Sequence, residues 1–142
     1  LMGDFKYLDK VLHTDAPDTR YIFTNLIGLP GYQYIHPVKQ RCVHRLVGAL
    51  LDEDKDRMIT DIIVFGSTVT LFCDSFSDID IAILGTFEDY TTKVPLYNYG
   101  EVDLFAYNKE KFLEMLDGNK FYQEIMGKGV RVYEQLSTSS KG

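Results

Sequence analysis

Two aspartates interrupt an apolar run in SDIDIAIL, residues 77–84, and few folds tolerate that pattern. A strand turns successive side chains to opposite faces, so Asp78 and Asp80 stand side by side while Ile79, Ile81 and Ile83 line the other face. Two carboxylates held roughly 6–7 Å apart by the strand rise repel each other and raise each other's pKa unless a cation lies between them. The pattern predicts a strand with one apolar face and a metal-binding edge.

At 142 residues, with 45% hydrophobic and 25% charged residues, the chain has the usual size of one domain around one core. A single domain over residues 1–142 is expected. Cys42 and Cys73 lack CxxC spacing, and a chain this long needs no disulfide framework, so reduced thiols are expected. LMGDFKYLDK has no cationic region followed by an apolar one, and IIVF at 62–65 is far shorter than the ~18 residues a membrane span requires. The expected location is cytoplasmic, with no membrane association. A formal net charge of -6, with no stripe of lysine and arginine, argues against strong nonspecific nucleic-acid binding.

Along the chain, Phe5, Leu8, Val11 and Leu12 predict a short helix over residues 4–13, while residues 15–37 read either as a strand and turn or as a packed loop. Val43, Leu46, Val47, Leu50 and Leu51 fall on one helical stripe, so a helix is predicted over 37–51 with Pro37 in its first turn. DEDKDR closes it. DIIVF at 61–65 reads as a buried strand ended abruptly by Gly66-Ser67, and a second strand runs over 78–84. A loop containing Pro95 and Gly100 leads to EVDLFAY, 101–107, whose alternation places Glu101, Asp103 and Phe105 on one face. Asn108 caps a helix with Phe112, Leu113 and Leu116 as its stripe; FYQEIM is helical, GVRVYE is a last strand, and residues 136–142 form a frayed tail.

An Asp-x-Asp spacing alone carries no weight, since Asp52, Asp54 and Asp56 repeat it in a charged helix end where a solvated face is expected. Context supplies the specificity: Gly66-Ser67, a ten-residue loop, Asp78 and Asp80 on an apolar strand, then Asp103 on a later strand. This arrangement resembles the minimal nucleotidyltransferase domain of the DNA polymerase β superfamily over residues 60–134, including the closing GKGVRVYE. The resemblance implies an α+β fold, a mixed β-sheet with helices packed on one face, with residues 1–59 as an extension whose helix at 37–51 packs on the core. It also implies a Mg²⁺-dependent transferase that moves a nucleoside monophosphate from a nucleoside triphosphate such as ATP to a hydroxyl. Asp78 and Asp80 would bind metal jointly, and Asp103 would complete the site on the nucleophile's side. Gly66 would let backbone approach the triphosphate, and Ser67, near a helix start, would contact a terminal phosphate.

One departure stands out. Family members often carry arginine or lysine after the serine, whereas TVTLFCDSFS has neither. The triphosphate charge would then fall to metal, to helix N-terminal amides, or to Lys93, Lys109 or Arg131. The alternative implied by the resemblance is an antitoxin-type binding module paired with a HEPN-type toxin, with or without nucleotidylation. Glu101 reads as a solvated neighbour, the histidines His13, His36 and His44 share no metal-ligand spacing, and the aromatics from Tyr21 to Tyr34 read as packing.

Overall fold

The computed structural model describes residues 21–95 and 100–136; the helix expected over 4–13 and residues 137–142 of the expected tail lie outside them. Helix α1 spans Pro37–Glu53, followed by strands β1 (Ile59–Phe65), β2 (Ile79–Gly85), β3 (Tyr90–Pro95) and β4 (Glu101–Asn108). Helices α2 (Lys109–Met115) and α3 (Lys120–Lys128) and strand β5 (Val130–Glu134) complete the described residues. The five strands form one mixed sheet in the order β3-β4-β2-β1-β5, in which β2 and β4 run parallel and every other pair is antiparallel.

Local chemistry sets the boundaries. Pro37 occupies the first turn of α1, and the His36 imidazole caps it by accepting the Val38 N–H at 3.2 Å. At the other end the Asp54 carboxylate accepts the N–H groups of Met58 and Ile59, both at 2.9 Å, and so turns the chain from α1 into β1. The charged run after α1 is therefore only partly a solvated face. Asn108 and Asn119 cap α2 and α3 through their side-chain oxygens.

Helices pack on both faces of the sheet, not on one as the resemblance implied. Ile62, Val64, Ile79, Ile81, Ile83 and Val102 cluster with Val43 and Val47 of α1. On the opposite face Ile63, Phe65, Ala82, Leu84 and Tyr107 cluster with Phe112 of α2 and Ile125 of α3. The cause lies in β1 and β2, which are apolar on both faces over most of their length and need cover on both.

Residues 21–36 form a packed loop with one 3-10 turn at Tyr32–Tyr34, and no strand. Gln40 on α1, fully buried, organises it. The Gln40 amide donates to the carbonyls of Thr24, Tyr32 and Ile35 and its oxygen accepts the Leu26 N–H. Tyr32 enters the core, as expected of packing aromatics. Strand β3 falls in what reads from the sequence as a loop; it is an exposed edge strand, paired with β4 alone, so it carries no apolar periodicity.

Candidate functional site

Asp80 and Asp103 face each other across the parallel β2–β4 pair, directly in register. Both lie on the face that carries Ala82, Phe105 and Tyr107, because side chains two apart share a face. Asp78, immediately before β2, is exposed, and its Oδ1 accepts the Glu101 N–H at 2.9 Å, which ties the start of β2 to the start of β4. Two glycines make the crowding possible. Gly66 has φ +75°, and a Cβ there would collide with Asp80 Oδ2; Gly100 has φ +69°, and a Cβ there would lie 2.9 Å from Asp78 Oδ1. The close approach at Gly66 is thus to a carboxylate of the cluster.

The electrostatics follow from that packing. Burial pushes the Asp80 carboxyl from its ordinary 3.8 to about 6, helped by hydrogen-bonding contact with Asp103, by the Asp103 charge and by Asp78, while Lys93 opposes the rise. Asp103 Oδ1 is buried and has no aligned hydrogen bond. Lys93, opposite Asp103 on β3, holds its ammonium 3.5 Å from that oxygen and 3.6 Å from Glu101 Oε1, an ion-pair distance without hydrogen-bond alignment. Glu101 is therefore a partner of Lys93 rather than only a solvated neighbour. Asp103 and then Glu101 hold the Lys93 ammonium above its ordinary range.

Asp80 and Asp103 offer carboxylate oxygens, the donor type a hard cation takes, and the Lys93 ammonium beside Asp103 Oδ1 is the positive charge that such a cation would displace or share. Asp80 and Asp103 supply the fixed part. As they stand, no three His, Cys, Asp or Glu side chains among the described residues are gathered closely enough to hold a metal ion. Asp78, exposed and with its Oδ1 accepting the Glu101 N–H, would have to reorient to join the pair.

Two expectations about phosphate-facing groups need correction. Ser67 lies near a helix start, but of a four-residue 3-10 helix, Gly66–Val69, and not of an α-helix; the Thr70 N–H and hydroxyl close it by donating to the Ser67 carbonyl, both at 2.9 Å. A row of helical amides is thus absent after Ser67. Lys109 and Arg131 are engaged elsewhere, at the other end of β1, where Lys109 Nζ lies 2.9 Å and Arg131 Nε 3.2 Å from the buried carboxylate of Asp61. One buried carboxylate facing two cations explains why neither is free to face the cluster.

Sequence reading also missed residues. Phe65, Phe105 and Phe121 form a three-ring cluster with centroids 5.4–5.7 Å apart, and Phe65 is the cross-strand partner of Asp80. Phe65 and Phe105 share the sheet face of Asp80 and Asp103, and Phe121 of α3 packs on both while staying exposed. Lys39 on α1 is 2% exposed, and its ammonium donates to the Ser75 carbonyl at 3.1 Å, within the loop between Ser67 and Asp78. Its signal was present: Lys39 stands four and eight residues before Val43 and Val47, so it extends the buried stripe of α1. Neither a protein-family model nor a curated protein matches this chain.

Proposed function

We propose that the protein is a Mg²⁺-dependent nucleotidyltransferase of the DNA polymerase β type, with a polymerase β-like core, that transfers a nucleoside monophosphate from a nucleoside triphosphate to a hydroxyl acceptor. The observation that carries this reading is the in-register pair Asp80 and Asp103, crowded against Gly66, with a carboxyl raised to about 6. Asp54 and Asp61 are placed among hydrogen-bond donors or cations, whereas Asp80 faces another carboxylate, Asp103, whose own cation is Lys93. Two carboxylates placed against each other suit a group that brings positive charge.

In the reaction the acceptor oxygen attacks the α-phosphorus, the bond to the bridging oxygen of the β-phosphate breaks, and pyrophosphate leaves with that electron pair. Bound Mg²⁺ would neutralise the phosphate oxygens and lower the pKa of the attacking hydroxyl. Asp80 and Asp103 would hold it, with Asp78 turning from the Glu101 N–H to join them. Asp103, the carboxylate nearest Lys93, would accept the hydroxyl proton.

The test is incubation with labelled ATP, GTP, CTP or UTP and Mg²⁺ in cell extract, together with melting of the purified protein. Label transfer that depends on Asp80 and Asp103, and a melting temperature raised more by nucleotide with Mg²⁺ than by either alone, are the expected results. Absence of both with all four nucleotides at millimolar concentration would refute the reading.

A further inference from the structure

The loop between Ser67 and Asp78 has no basic residue, yet a cation lies beneath it. Helix α1 begins against this loop: the His36 N–H donates to the Thr68 carbonyl at 2.8 Å, and one turn later Lys39 reaches the Ser75 carbonyl. Thr68 in turn donates through its hydroxyl to the backbone carbonyl of Asp78 at 3.3 Å, so the turn after Gly66 is tied both to the start of α1 and to the start of β2, while Asp80 and Asp103 stand on the other face of the sheet. Among the described residues the ammonium has one hydrogen bond, to a neutral carbonyl, and no carboxylate within ion-pair distance. Cys42 and Cys73, the thiols that feel its charge, are themselves pushed up by burial and stay neutral. A buried ammonium without an anion is costly, and a lysine stem alone could be replaced by methionine or leucine at no loss of packing.

Resting on the nucleotidyltransferase reading, we infer that Lys39 is the phosphate-binding cation of this site, exchanging the Ser75 carbonyl for the terminal phosphates of the bound nucleoside triphosphate. The loop 70–77 is suited to the exchange. Its conformation is held by short-range bonds from Asp74 and Ser77; Leu71, Phe72 and Phe76 are exposed, and Cys73 is its one buried side chain. A small displacement of Ser75 therefore breaks few contacts. Phosphates carrying several negative charges would then compensate the ammonium, which supplies the cation that residues 68–77 lack.

Binding of ATP, ADP and AMP with Mg²⁺ by the parent, Lys39→Met and Lys39→Arg tests this. Lys39→Met is expected to lose at least about tenfold in affinity for ATP, the worth of one hydrogen bond between charged groups, with AMP binding little changed. Lys39→Arg should keep the preference for ATP over AMP. Lys39→Met should also melt no lower than the parent without nucleotide. A purely structural lysine would lower the melting temperature and weaken ATP and AMP alike, and that result would overturn the assignment. If Lys39→Met does not fold, the parent decides: the side-chain ¹⁵N resonance of Lys39 should shift on titration with tripolyphosphate, and an unmoved resonance under saturation would overturn it. A parent that binds no nucleotide at all refutes the transferase reading, whereas a parent that binds ATP no better than Lys39→Met refutes Lys39 alone.

Discussion

Asp80 carries the plainest trade between stability and chemistry. Its folded-state pKa of about 6 lies above the ordinary 3.8, so between these values the native protein holds a proton that the unfolded chain has released. Stability should fall as pH rises through this window, and the whole penalty should be present above it. Asp80→Asn removes the titration. The variant should be at least as stable as the parent in chelator at neutral pH, should show a flatter pH dependence between about 4 and 6, and should lose its melting response to Mg²⁺ with nucleotide. Thermal melts across that range in EDTA, repeated with ligand at pH 7, check all three. Gly66→Ala should behave oppositely: left-handed backbone costs about 1–2 kcal/mol for a residue with a Cβ, and the new methyl displaces Asp80 as well. Urea denaturation should show the loss, and the ligand response should fall with it. The sequence already exposes this residue-scale logic for Asp78, Asp80 and Asp103, because alternation within a strand decides which side chains share a face. It also places Lys39 on the buried stripe of α1, but what the ammonium meets there is known only once the loop above it is known.

Among the elements, those with a strong period or a cap are the legible ones: α1 over 37–51, β1, β2, β4, the capped α2, α3 and β5 stand within a few residues of expectation. Strand β3 and the loop at 21–36 are not legible, and for related reasons. An edge strand such as YTTKVP is held by its partner's backbone, and the 21–36 loop is held by one distant amide, Gln40. Neither agent leaves a local periodic signal. The two-faced cover of the sheet was in principle visible, since ITDIIVF and IDIAILG are apolar on both faces wherever they are not acidic. The turn between α1 and β1 offers an element-scale test. Asp54→Ala removes the acceptor for two backbone N–H groups and should cost about 1–3 kcal/mol by urea denaturation, with no change in Mg²⁺-nucleotide binding. A neutral outcome would return Asp54 to the solvated face that the charge run suggested.

For the whole molecule, the decisive polar feature is Asp61, which joins β1, the start of α2 and β5 through Lys109 and Arg131. Asp61→Asn leaves two cations, each about 40% exposed and so open to water, and should cost about 1–3 kcal/mol, read in urea because guanidinium would screen the charges. Among the described residues no helix is long and apolar enough to cross a membrane. The strand order has a consequence for how the chain folds as it is made. Residues 61–64 on β1 pair with 130–134 on β5, so the first strand of the sheet receives its second neighbour only when the last has emerged from the ribosome. Until then Asp61 lacks Arg131, and the edge of β1 is open to any other strand. Nascent chains halted before residue 130 should therefore be captured by chaperones and cut by proteases within β1, and release of the final strand should end both.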